Sequence, residues 1–185
     1  MPRNYLERIA SDYTVFMEIK KSHEYYMKAA LGRAATAAKY GEIPVGAVIV
    51  YKGRIISGGR NRREGAKCAT CHAEISAIES ACRKLGGWRL FECDMYVTLE
   101  PCPMCAGAVI NSRIKNLYIG TADPKAGSFG SVINFNDLPY NHKPNIVYGI
   151  CENECSRILK DFFSQLRKMK REKKKMLKKV NVDEQ

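Results

Sequence analysis

No run of apolar residues in this 185-residue chain approaches the ~18 that a membrane-crossing helix needs. The N-terminus lacks a compact apolar stretch behind a basic start, and no small-residue cleavage site follows, so secretion is not expected. Neither an internal repeat nor a sign of a second domain is present, and the length suits one domain with an appendage. Acidic residues are scarce: 19 Asp and Glu stand against 31 Lys and Arg, for a net charge of +12. What is present, 45% hydrophobic and 27% charged residues, reads as globular. Eight cysteines could suggest a disulfide scaffold. The length and composition argue against that, and cysteines beside histidine at ligand spacing fit a reducing compartment and a metal site better.

The charge is unevenly placed. Between Arg157 and Lys179 eleven basic residues face only Asp161 and Glu172. Such a patch favours a polyanionic partner, usually nucleic acid. A solvated, frayed helix is the plainer reading, and composition alone leaves both open.

Within residues 1–21, Leu6, Ile9, Tyr13 and Phe16 recur at helical spacing, which permits a short amphipathic helix. Met17 is an alternative functional start. Glu24 to Tyr40 is alanine-rich helix, with Gly41 at its C-cap. Pro44 to Tyr51 and Arg54 to Gly59 form a hairpin turned by Lys52-Gly53. A glycine- and arginine-rich loop through Asn61-Arg62-Arg63 leads to a helix from Ala73 to Leu85. Met95 to Leu99 is a strand, Cys105 to Asn111 a small-residue helix, and Leu117 to Gly120 another strand. A polar loop over Thr121 to Ser131, a short strand at Ile146 to Tyr148 and a long helix from about Glu152 complete the chain. In that helix Cys155, Ile158, Leu159, Phe162, Phe163 and Leu166 form one apolar stripe. Alternating strands and helices make the class α/β with helices on both faces, and the hairpin makes the sheet mixed.

Cys102-x-x-Cys105 taken alone is compatible with a redox pair, half of a structural zinc site or coincidence. Its context is more informative. The pair follows a strand ending in Glu100-Pro101 and opens a helix, where backbone N–H groups and the helix dipole favour thiolate. His72 stands at the start of another helix. His72, Cys102 and Cys105 make three ligands and leave a tetrahedral zinc with one open position, the mark of a catalytic site. Two thiolates neutralise the metal's formal charge, so the site needs a proton acceptor of its own. Glu74, two residues after His72, is placed to take that proton and pass it on. The competing arrangement is a closed zinc with Cys68 and Cys71 among a surplus of ligands, which leaves Glu74 without a role.

His72-Ala-Glu74 followed by Pro101-Cys102-x-x-Cys105 resembles the zinc nucleobase deaminase pattern. Over about residues 24–168 the chain is similar to the bacterial tRNA-specific adenosine deaminases of the cytidine deaminase superfamily. The blocks that carry the likeness are Glu42 to Val50, Trp88-Arg89-Leu90, Tyr96 to Ala108, Ser112-Arg113-Ile114, Asp123 to Gly127, Gly130-Ser131, Asn141-His142 and Asp161-Phe162-Phe163. The resemblance implies a three-layer α/β/α cytidine deaminase-like fold around a mixed five-stranded sheet, over a domain of residues 22–168. Residues 1–21 are then an extension, and residues 169–185 a basic tail continuing the last helix. It also implies one Zn2+ per subunit and hydrolytic attack at C6 of an adenine flipped from a tRNA anticodon loop, giving inosine at position 34. Glu74 shuttles the protons. Asn61 aligns with a base-contacting asparagine and Asp123 with a loop acid near the flipped nucleotide. The Glu100 carbonyl or the Ala73 amide contacts the base. From residue type alone, Asn61 can equally be a turn residue and Asp123 a loop cap. A homodimer in the cytoplasm, with no membrane, completes what the likeness implies.

One departure stands beside the metal group. Where the relatives read Asp-Pro-Thr-Ala before the histidine, this chain reads Cys68-Ala69-Thr70-Cys71. These thiols either pack as small half-buried side chains or act as exchanging ligands or a disulfide. Two other functions remain open at this point: deamination of a free base or nucleotide of guanine or cytosine type, and non-catalytic zinc-dependent RNA binding. A small neutral substrate gains little from the basic helix.

Overall fold

The computed structural model describes residues 21–183, so the helix expected over Leu6 to Phe16 lies outside the described residues. The first helix, α1 (His23–Lys39), starts where the Ser22 hydroxyl accepts from the Tyr25 N–H at 3.3 Å, a side-chain N-cap. Strands β1 (Gly46–Tyr51) and β2 (Arg54–Arg60) follow as the expected hairpin. Lys52 and Gly53 turn it with φ of 46° and 72°, the positive pair that a tight two-residue hairpin turn demands.

A one-turn helix, α2 (Arg63–Ala66), lies where only loop was expected. Next come α3 (Ala73–Leu85), closed by Gly86 at φ 69°, and β3 (Cys93–Leu99). The small-residue helix α4 (Pro103–Asn111) begins two residues earlier than the apolar pattern suggested, because Pro103 is pre-set for the first helical position. Strand β4 (Asn116–Thr121), a 3-10 turn at Phe135–Asp137, β5 (Asn145–Tyr148) and α5 (Glu152–Asp183) finish the chain. No helix among the described residues is long and apolar enough to cross a membrane.

The five strands form one mixed sheet in the order β2-β1-β3-β4-β5. β1 is antiparallel to both β2 and β3, whereas β3, β4 and β5 run parallel. Side chains alternate between faces, as the period of two requires. Ala47, Ile49, Met95, Val97, Leu117 and Ile119 join the core beneath α3 and α4. Val48, Val50 and Tyr96 join the opposite core with Met27 and Ala30 of α1 and Cys155 of α5. The architecture is three-layer α/β/α.

Two glycines set the helices close to the hairpin. A Cβ at Gly46 would collide with the Ala30 carbonyl of α1, and one at Gly59 with the Ala73 carbonyl of α3. Only glycine admits such an approach. The expected stripe on α5 is core at one end only. Cys155 is fully buried, but Phe163 remains 38% exposed because the helix has by then run past the sheet.

Candidate active site

His72 and Cys102 occupy the same local position in two different helices. Each is the N-cap residue, His72 of α3 (φ −83°, ψ 160°) and Cys102 of α4 (φ −70°, ψ 171°). Side chains at N-caps ordinarily turn back to their own helix. Neither does so here; both point into the space between the helices. The Cys102 and Cys105 sulfurs lie 3.8 and 3.5 Å from His72 Nδ1. Tetrahedral zinc, with bonds of about 2.3 Å to sulfur and 2.05 Å to nitrogen, sets such an edge at about 3.6 Å. The three donors therefore stand at the spacing of a shared cation, all within 4.8 Å of one another.

The protonation of the group supports the same reading. The hydrogen bond from Cys105, opposed by burial and assisted by His72, holds the Cys102 thiol down to about 4. Cys105 is pushed far up by that hydrogen bond and by its burial. The Cys102 hydrogen bond raises His72. Protons here fill the place that a cation between these donors would take.

Glu74, on the first turn of α3, is 3% exposed, and its Oε2 has no hydrogen-bond partner. An orphaned carboxylate oxygen is costly in a folded interior and calls for a missing partner. Burial pushes the Glu74 carboxyl up, against its own backbone hydrogen bond and the His72 charge. A carboxyl raised in this way holds a proton closer to neutral pH than an exposed one does.

The chain from residue 21 to 167 matches the family model of the MafB19-like deaminases. A tRNA-specific adenosine deaminase of Bacillus subtilis (strain 168) is 45% identical over 155 residues, covering 83% of this chain and 96% of that protein. The chain belongs to the tRNA-specific adenosine deaminase family. A solved structure from work on A-to-I editing by tRNA:A34 deaminases at the wobble position matches with a TM-score of 0.71 and 43% identity. It covers 73% of this chain and 99% of its own. A guanine deaminase structure from Bacillus subtilis matches less well, with a TM-score of 0.53 and 31% identity over 65% of this chain and 88% of its own.

The remaining candidates of this family member gather at the same end of the sheet with different roles. Asn61 is 5% exposed and anchored through its backbone N–H to the Val45 carbonyl at 3.2 Å. Its side-chain amide has no hydrogen-bond partner among the described residues. Ala73 is fully buried as the first residue of α3, where a helical N–H has no partner within the helix. Asp123 makes contacts within its own loop. Its carboxylate accepts from the Lys125 N–H at 2.9 Å and its carbonyl from the Gly127 N–H at 2.9 Å, which caps the loop.

Glu100 reveals a function that its sequence position did not disclose. Its buried carboxylate accepts from the N–H groups of Asp123 (3.1 Å), Phe129 (2.9 Å) and Ser131 (3.2 Å), and from the Ser131 hydroxyl. Burial pushes this carboxyl up, but the four hydrogen bonds outweigh it and hold the group below the usual carboxylate range. Glu42 went unmarked as a site residue. Buried, it accepts from the N–H groups of Glu64 (3.2 Å) and Gly65 (2.8 Å), and so holds α2 and the loop beside Asn61. Separations of 22 to 31 residues hide both roles from any local pattern. A groove of about 510 Å³ also opens between the 121–125 loop and α5, lined by Leu99, Asp123, Lys125, Leu159, Phe163 and Arg167.

Proposed function

We propose that this chain hydrolytically deaminates adenosine to inosine in tRNA, at the wobble position of the anticodon. The observation that carries the proposal is the unpaired, buried Glu74 oxygen beside a three-donor metal group. His72, Cys102 and Cys105 are the ligands of one Zn2+ per subunit. When bound, that metal would supply Lewis-acid activation of water beside Glu74.

Glu74 takes a proton at Oε2 and delivers it to the purine ring and the leaving amine. Its raised affinity for protons suits both halves of that exchange. Asn61, with an amide that both donates and accepts, reads the purine edge, and the Ala73 N–H and Glu100 carbonyl are further contacts to the base. Glu100 also holds the 121–131 loop through its carboxylate, and this fixes where Asp123 stands. The exposed basic side chains from Arg167 to Lys175 are suited to phosphates flanking the anticodon. Homodimerisation and a cytoplasmic location belong to the same proposal, and eight unpaired cysteines agree with a reducing compartment.

The test incubates the purified protein with an anticodon stem-loop bearing adenosine at position 34, beside free guanine and free cytosine. Inosine in the RNA, with both free bases unchanged, is the expected result. Ammonia release from guanine without inosine formation would replace this reading with a free-base deaminase.

A further inference from the structure

A second Cys-x-x-Cys pair stands immediately before His72, and nothing in the deamination chemistry uses it. Lys67, at φ 50°, reverses the chain at the end of α2. The Cys71 N–H then donates to the Cys68 carbonyl at 3.2 Å, closing a β-turn over Ala69 and Thr70. A turn of this kind keeps its end Cα atoms within about 7 Å. Disulfides bridge Cα atoms about 4.4–6.8 Å apart, so the backbone is already close to the geometry of a ring.

The side chains are equally prepared. Both thiols are free and only half-buried, within reach of a dissolved reagent. The Thr70 hydroxyl lies 3.3 Å from Cys68 Sγ, and hydrogen bonds from Thr70 and Cys71 hold Cys68 down to about 7. A thiol of that affinity is substantially thiolate at neutral pH and remains a good nucleophile. Exposed Arg62, Arg63 and Lys67 give the same loop a positive surface that suits an anionic reagent.

We propose that Cys68 and Cys71 are a redox-active dithiol that closes to an internal disulfide by exchange with anionic low-molecular-weight disulfides. The Cys68 thiolate attacks one sulfur of the external disulfide. A protein–reagent S–S bond forms, the external S–S bond breaks, and the first small thiolate leaves and takes up a proton. Cys71 then gives its proton to solvent and attacks the Cys68 sulfur, and the second small thiolate leaves and is protonated. The protein has given up two protons and two electrons, and one external disulfide has become two thiols. The Cys71 carbonyl accepts from the Arg62 N–H at 3.0 Å, so ring closure occurs in the backbone that joins Asn61 to His72.

The test uses the zinc-loaded, full-length protein with glutathione disulfide as the probe, followed by intact mass and peptide mapping. Because the readout is chemical, it is independent of the substrate the enzyme deaminates. Wild-type protein should lose two hydrogens and yield a Cys68–Cys71 cross-link. Cys71→Ser should stop with glutathione attached at Cys68. Cys68→Ser should react at least about tenfold more slowly, as the loss of the more acidic thiol predicts. Glutathione retained on the wild-type protein, a cross-link that reaches Cys102 or Cys105, or undiminished reaction of Cys68→Ser would each overturn the proposal. The wild-type cross-link decides the matter even if a variant fails to fold.

Discussion

Two cysteine pairs of identical spacing lie on either side of Glu74 in the sequence, and their backbones give them different surroundings. Cys102 and Cys105 open the α-helix α4, where one sulfur stands at the N-cap and the other on the first turn, both aimed at His72. Cys68 and Cys71 close a β-turn, so their sulfurs face each other and the solvent. The first pair is half to fully buried beside a third donor, and the second is half-buried beside a hydroxyl. A Cys-x-x-Cys pattern therefore fixes a distance, while the element it sits on decides whether the sulfurs turn toward a third donor or toward each other.

The comparison can be broken most sharply at the helix pair. Cys102→Ser should abolish stoichiometric zinc and reduce inosine formation to background, as read by metal analysis and an RNA assay. The same change at Cys71 should leave both intact. Next in size is Glu74→Gln. General acid/base catalysis is worth roughly 10²–10⁴-fold, so activity should fall by that order while bound zinc persists. Loss of zinc together with activity would make Glu74 a ligand rather than a proton carrier. Gly59→Ala addresses placement instead of chemistry. Its methyl meets the Ala73 carbonyl, so α3 must shift and carry His72 away from the α4 pair. Overpacking of this kind costs about 1–3 kcal/mol, visible as a lower melting temperature and weaker zinc retention. The smallest effect belongs to the double change Cys68→Ser with Cys71→Ser. Under reductant it should alter stability by no more than about 0.5 kcal/mol and leave turnover unchanged, as a solvent-facing turn permits.

Much of this molecule was legible in the order of its residues because the signals were local. The hairpin declared itself through a β-branched run and Lys52-Gly53. Helix α3 ran over the expected span because Ala73 to Leu85 keeps a clear apolar period between His72 and Gly86. That His72, Cys102 and Cys105 come together was readable because each stands at a helix start, which sequence marks well. Longer-range contacts were not readable. Glu100 looked like a strand-end residue offering its carbonyl, whereas its carboxylate gathers three N–H groups from a loop up to 31 residues away. Glu42 likewise caps a one-turn helix too short to leave a periodic trace. Phe163 belongs to the α5 stripe by spacing, yet it lines the groove because the sheet ends before the stripe does.

Gly46 and Gly59 lie one residue apart across the open end of the hairpin, where Gly46 pairs with Arg60 and Ala47 with Gly59. Each admits the backbone of a helix from the opposite side of the sheet, α1 at one and α3 at the other. Main chain is thus pressed on main chain at this end of the hairpin, with no side-chain volume between strand and helix. Close-packed interiors have low compressibility and transmit strain instead of absorbing it. A side chain added at either glycine would therefore displace a helix backbone, and at Gly59 that backbone is the first turn of the helix that carries Glu74.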